Sequence, residues 1–241
     1  MKALGDRCTL LSRTRRRLSK CDGVCFLDAK HLRLKGTTFT IYVAWDRGFG
    51  RPVHFLLKEG GETDLWYWRL LVDLKHLEYV PKAFVSDGYP ALRAFISDAY
   101  PDLPHQRCIV HVFMWMRSVI APGKRAGVRE QLFVGLARDI LWSRSLAMAK
   151  RRLEKLEALE SLLPKERKAL SIMENALEQA FTYAGPRWKH LHLPRSSNAI
   201  ENVMGQIEAR LKTRRGAKSF AATKALLNEV LLRVKRQIIN Q

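Results

Sequence analysis

The rhythm of apolar and polar positions changes twice along this chain. Between residues 23 and 57 it reads as strand. The runs Val24–Asp28, Lys30–Lys35, Thr37–Asp46 and Pro52–Leu57 are rich in β-branched and aromatic residues, and Gly36, Arg47-Gly48 and Gly50 stand at the breaks. Three or four short strands so spaced predict an antiparallel meander. A helical period follows from about Glu62 to Leu77, with Thr63 as the predicted cap and Leu65, Trp68, Leu71, Val72 and Leu74 as its apolar face. Ala83–Ser86 is a further strand, Asp87-Gly88 a turn, and Pro90 opens a short helix at a position that suits proline. Gln106–Ile109 predicts a last strand, running into a helix through Met116.

From 120 to 182 the period is helical throughout. Leu132, Leu136, Ile140, Leu141, Leu146, Leu153, Leu156, Leu159, Leu163, Leu170, Met173, Leu177 and Phe181 recur at helical spacing, and Pro122 and Pro164 break the run. An aromatic and basic loop from Pro186 to Pro194, carrying Trp188, Lys189, His190 and His192, precedes final helices whose first stripe is Ile200, Val203, Ile207 and Leu211. The order β-β-β-α-β-α-β-α predicts an α/β protein with a ribonuclease H-like fold, a mixed five-stranded sheet with flanking helices. The helical stretch is then an insertion. The predicted organisation is a basic N-terminal arm or remnant of a missing region over 1–22, a sheet-bearing domain over 23–118 and 195–241, and a helical insertion over 119–194.

Composition narrows the partner. The 241 residues hold 43 Lys plus Arg against 23 Asp plus Glu, a formal net charge of +20, and 47% are hydrophobic. That apolar share supports a core and excludes disorder as the reason for the charge. A basic excess of this size is the footprint of a protein that neutralises phosphates, so nucleic acid is the expected partner. No signal peptide and no apolar run of membrane-spanning length is visible, and four cysteines (Cys8, Cys21, Cys25, Cys108) are unevenly scattered. The expectation is a soluble, cytoplasmic protein with reduced thiols and no membrane partner.

Against that positive background three acids stand out. Asp28 ends the apolar run Val24–Leu27, Asp87 ends Ala83–Ser86, and Glu201 lies at the start of the late helix. Acids at two strand ends with a third from a late helix are how a fold gathers oxygen ligands for hard cations such as Mg²⁺. Two such ions about 3.5–4 Å apart clamp the attacking and leaving oxygens of a phosphoryl transfer. Each acid also has a plainer reading. Asp87-Gly88 after a strand is a turn signature. Asp28 can simply terminate a strand, although strands are depleted in Asp. Asn198 and Glu201 fit a capping box, while the helical wheel puts Glu201 about 100° from Ile200, at the border of the buried stripe. Capping and metal ligation both stay open on spacing alone.

Cys108-Ile109-Val110-His111 has the spacing of half a zinc site, but the further ligands would have to be Cys21 and Cys25, and zinc is not expected. A buried Cys in a strand with a hydrogen-bonded His explains the pair as well. Two basic clusters suit phosphate contact: Arg13, Arg15, Arg16, Arg17 and Lys20 near the N-terminus, and Lys212, Arg214, Arg215 and Lys218 after the Glu201 helix.

At these residues the chain resembles the DDE-type transposases of bacterial insertion sequences, the Mutator-like class and its relatives. The blocks are Leu27-Asp28-Ala29-Lys30-His31-Leu32, Val85-Ser86-Asp87-Gly88-Tyr89-Pro90-Ala91-Leu92, Gln106-Arg107-Cys108-Ile109-Val110-His111, and Ser196–Glu201 followed by the Arg-Arg-Gly of 214–216. The specificity lies in the order and spacing of four blocks over about residues 23–225. The resemblance implies two divalent ions (Mg²⁺ or Mn²⁺) held by Asp28, Asp87 and Glu201, with Cys108 and His111 as a family motif near the site. It also implies DNA partners, both element ends and target, and a homodimer or higher oligomer on DNA. Met204 or Gly205 stands where relatives often carry Asn, and only 27 residues precede Asp28, so the resemblance is to a catalytic domain or an N-terminally truncated form. Two rival classes are a DNA-binding remnant without chemistry and a ribonuclease H-like nuclease that cuts without joining.

Overall fold

A computed structural model describes residues 10–34, 36–121, 126–213 and 220–233. Three strands open the fold: β1 (Val24–Leu34), β2 (Thr37–Asp46) and β3 (Arg51–Glu59). They form an antiparallel meander, with Asp28 opposite Val43 and Val43 opposite Phe55. Residues 24–28 and 30–34 thus belong to one strand, because Ala29 continues the ladder opposite Tyr42 without a break. Helix α2 (Asp64–His76) leads to β4 (Ala83–Ser86), α3 (Pro90–Ala99) to β5 (His105–Arg107), and α4 (Ile109–Ile120) follows. The sheet order is β3-β2-β1-β4-β5, the predicted mixed five-stranded sheet. The chain then runs through α5 (Val128–Leu141), α6 (Leu146–Glu157), α7 (Pro164–Ala180), two 3₁₀ turns (Thr182–Ala184 and Pro186–Leu191), α8 (Asn198–Thr213) and α9 (Phe220–Arg233). No helix among the described residues is long and apolar enough to cross a membrane.

The chain divides into two compact units. The first comprises residues up to Phe84, Tyr89–Leu103 and everything from Asn198 onward. On one face of its sheet, Cys25, Leu27, Tyr42, Ala44 and Val53 pack with Tyr67, Leu70, Leu71 and Leu74 of α2 and Leu92 and Ile96 of α3. Alternation sends Asp28 and Lys30 to the opposite face, and α8 packs there on β1. The predicted stripe of α8 is buried as expected, with Ile200, Val203, Ile207 and Leu211 all within the core.

Helix α2 buries Leu71 and Leu74 of the predicted face but not Leu65 and Trp68. Leu65 is 66% exposed and Trp68 48%, while Tyr67 is fully buried. A tyrosine can enter the core when its hydroxyl finds an acceptor. Tyr67 donates to Glu62 Oε1 at 2.6 Å and stands edge-on to Tyr42.

The predicted N-terminal arm is part of this unit. Helix α1 (Leu10–Arg15) packs on β3 and α9. Thr14 Oγ1 donates to Val53 O at 2.8 Å, and Leu10 N donates to Asn228 Oδ1 at 2.8 Å. Arg13, expected to face phosphates, is buried: it donates to Leu232 O at 2.7 Å and Pro52 O at 3.3 Å. Its guanidinium satisfies carbonyls at the edge of the sheet instead. Arg15, Arg16, Arg17 and Lys20 are exposed.

The second unit comprises Val85–Gly88 and Pro104–Ser197. It begins earlier than the predicted insertion, because Ile109, Val112, Met116 and Ile120 of α4 join Phe133, Ala137 and Ile140 of α5, Leu153 of α6, and Leu170, Met173 and Leu177 of α7 in one apolar cluster. Leu132 and Leu136 point outward, since the buried stripe of α5 runs one position further along through Phe133, Ala137 and Ile140. Glu166 is buried within this unit and receives Arg129 on both carboxylate oxygens, at 2.8 and 2.7 Å.

Candidate active site

In the first unit, Asp28 is half-buried in the middle of β1, and Glu201 is half-buried in the first turn of α8. Lys30 Nζ meets Glu208 Oε2 at 2.7 Å, which fixes how α8 lies on β1. Lys30 shares a strand face with Asp28, two residues away. Glu208 shares a helix stripe with Glu201, seven residues and two turns away. The two acids therefore belong to surfaces that face each other. Asp28 is not the end of its strand, which extends to Leu34. Both groups are hard carboxylate donors at intermediate depth, a donor set that suits Mg²⁺ or Mn²⁺ better than softer metals.

In the second unit, Asp87 follows β4 directly and is half-buried. The turn that carries it is tightly held. The buried Ser86 Oγ accepts a hydrogen bond from Gly88 N at 3.1 Å and shares another, of 2.8 Å, with His105 Nε2. Gly88 has φ +88, and a methyl group there would lie 2.2 Å from Arg107 Nε, so both the backbone angle and the space require glycine. The positive φ of Gly88 and its hydrogen bond to Ser86 describe how the acid is presented.

The Cys-x-x-His pair lies at the start of α4. Cys108 is the N-cap residue of that helix and is buried, outside the strand predicted for it. The strand ends at Arg107; Cys108 N still donates to Ser86 O at 2.8 Å, and the helix starts at the next residue. Cys108 Sγ accepts from Ser197 N at 3.2 Å, and Ser197 Oγ shares a hydrogen bond of 3.3 Å with His111 Nδ1. Burial pushes the Cys108 thiol up, but hydrogen bonds with His111 and Ser197 outweigh it and leave the thiol below its usual range. Ile109 N donates to Arg195 O at 3.1 Å, so the segment before α8 is stitched to the start of α4. In the first unit, Cys25 is buried in the core and Cys21 packs against it, and neither is in a disulfide.

Sequence reasoning missed Ser86, His105 and Ser197. They are small or neutral groups that carry no signal until the fold shows what they hold. Of the second basic cluster, Lys212 falls in the last turn of α8 with its side chain outside the described residues, and Arg214, Arg215 and Lys218 lie outside them altogether.

A meander of three strands, followed by two strands each reached through a helix and ordered β3-β2-β1-β4-β5, is the ribonuclease H-like fold. Residues 13–239 match the family model described as transposase, Mutator family. The chain belongs to that family and is a transposase, an enzyme of DNA transposition. No curated protein matches it. Among solved structures it is similar to the HTLV-2 integrase catalytic core domain in complex with magnesium, with 16% identity over 62% of this chain and 83% of that one and a TM-score of 0.31. It is also similar to the Mos1 transposase catalytic domain solved with raltegravir and Mg, with 17% identity over 70% of this chain and 85% of that one and a TM-score of 0.31.

Proposed function

We propose that the chain cuts and joins DNA strands at a site formed by Asp28, Asp87 and Glu201. The observation that carries this reading is a family match that spans all three acids, in their order, across nearly the whole chain. The facing placement of Asp28 on β1 and Glu201 on α8 supports it, as does the rigid turn presenting Asp87. Asp28 and Asp87 would hold two divalent cations, and Glu201 would complete the ligand set and keep the second carboxylate surface close to β1. The cations supply, when bound, a lowered pKa for the attacking water or 3′-hydroxyl and stabilisation of the leaving oxygen. The chain's own part is to fix three carboxylates so that no rearrangement is needed as the phosphate reacts. Element ends and target DNA are the substrates in this reading, and the enzyme works on them as a dimer or higher oligomer.

The test is a plasmid and oligonucleotide assay with Mg²⁺ or Mn²⁺. Replacing Asp28, Asp87 or Glu201 by Ala is expected to lower cleavage and joining about a thousandfold or more, as removal of an obligatory catalytic group does. DNA affinity measured without metal should stay near that of the unaltered protein. Full activity in Asp87→Ala would overturn the assignment. Nicking by the unaltered protein without joined products would make it a nuclease.

A further inference from the structure

Arg13 is buried while Arg15, Arg16, Arg17 and Lys20 stay exposed, so the N-terminal cluster is one candidate DNA surface, and the second unit offers another. In the second unit, three cations of the helical core are matched by acids. Arg129 pairs with Glu166, Lys165 with Glu130 at 2.6 Å, and Lys150 with Glu178 at 2.7 Å. The segment that leads from α7 toward α8 is different. Between Glu178 and Glu201 there is no acidic residue, while Arg187, Lys189, His190, His192 and Arg195 all fall in that stretch and all are exposed.

Two of these cations are already oriented. The Arg187 guanidinium lies 4.4 Å from the centre of the Trp188 ring, and that of Arg195 lies 4.7 Å from the centre of the Tyr183 ring. A guanidinium held over an aromatic ring has less rotamer freedom to lose on binding and keeps five N–H donors to offer a phosphate. The backbone beneath is equally fixed. Thr182 Oγ1 donates to His105 O at 3.1 Å, Tyr183 N donates to Gln106 Oε1 at 2.8 Å, and Arg195 O accepts from Ile109 N at 3.1 Å. The 3₁₀ turn Pro186–Leu191 spans the gap between these anchors, and His192, at φ +46, ends it.

We propose that Pro186–Arg195 is a phosphate clamp for duplex DNA, in which Arg187 and Arg195 hold backbone phosphates bidentately and Lys189 adds a third contact. The clamp carries no base readout, because nothing in it is built to enter a groove. It depends on the reading above only for the identity of the polyanion. In the sequence it ends six residues before Glu201.

The experiment measures anisotropy of a labelled random-sequence duplex with the full chain, in chelator, over a salt series. Arg187→Ala, Lys189→Ala and Arg195→Ala together should lower the slope of log K against log salt by about 2–3, since each phosphate contact contributes about 0.9. A control with equal charge loss on exposed helix positions, Arg151→Ala, Lys155→Ala and Lys168→Ala, should lower it by less than about 1. Lys189→Glu alone, a change at an exposed position that cannot unfold the protein, should weaken binding at low salt more than Lys168→Glu does. A clamp variant that matches its control overturns the clamp and leaves the three-acid site standing. Absence of any DNA binding by the unaltered chain would overturn both.

Discussion

The two units are stabilised in different ways. The helical unit has a continuous apolar cluster drawn from four helices, with the buried Glu166 paired at its margin to the half-exposed Arg129. The sheet unit buries polar groups at the points where distant segments meet. Asp46, fully buried at the end of β2, accepts four hydrogen bonds: from Asp22 N at 3.2 Å, Gly23 N at 3.0 Å, Phe49 N at 2.7 Å and Tyr79 Oη at 2.8 Å. Arg13 does similar work for the carbonyls of Pro52 and Leu232. A core of apolar stripes loses stability by small steps when it is altered. One assembled around single polar residues loses it at once, because every partner left behind is buried without a bond.

The strongest break of this comparison is Asp46→Ala. Three amides and a phenol would lose their acceptor, and the expected cost is about 4 kcal/mol, read as a shift in the urea midpoint. Tyr79 cannot compensate by ionising, since burial with Cys25 and Asp46 beside it pushes its phenol far above the usual range. A loss no larger than that of an exposed Asp→Ala change would show that the hub is not what holds the strand ends together.

A smaller effect is expected at Glu166 in the helical unit. Hydrogen bonding by Arg129 holds its carboxyl below the usual range, against the opposing effect of burial. The sign follows from that direction. A depressed carboxylate contributes its full stability above the unfolded value near 4.3 and loses it as pH falls from there through the folded value. Glu166→Gln should cost about 2 kcal/mol at pH 7, with charge-assisted bonds replaced by weaker ones, and the cost should shrink below about pH 4. A cost independent of pH would mean that packing, not charge, is what the residue supplies.

The least effect is expected at Lys30–Glu208. The pair is about one-third exposed on both sides, and a double-mutant cycle should find a coupling of about 0.5 kcal/mol or less. Its larger consequence should be catalytic, through the placement of α8 and Glu201 on β1. Coupling seen in activity but scarcely in stability would sharpen the distinction between holding the fold and aiming the site.

The legibility of the sequence followed the same division. The strand meander, β4, the proline-led α3 and the stripe of α8 could all be read because period and turn chemistry agreed. The faces of α2 and α5 could be read only in their later turns, at Leu71, Leu74, Ile140 and Leu141, because aromatic Tyr67 and Phe133 and small Ala137 took the inward positions in place of the exposed Leu65, Leu132 and Leu136. The arm was misread for a related reason. Arg13 looks like any other cation until β3 and α9 supply the carbonyls that receive it. Among the site residues, the acids stood out as charge in apolar surroundings, whereas Ser86, His105 and Ser197 act only through what they hydrogen-bond to, and no spacing announces that.

The clasp between α1 and α9 has a consequence for the order of folding. Leu10 is hydrogen-bonded to Asn228, and α8 lies on β1, so the sheet unit needs segments made far apart in the order of synthesis. Pro104–Ser197, nearly all of the helical unit, is complete before α8 and α9 exist. As the chain is made, the helical unit can gather its core from near neighbours, which is the fast kind of closure, while β1 and β3 wait with uncovered faces. The face bearing Asp28 is therefore shaped last, when α8 arrives, and a nascent chain stalled before residue 198 would hold a folded helical unit beside an unfinished sheet.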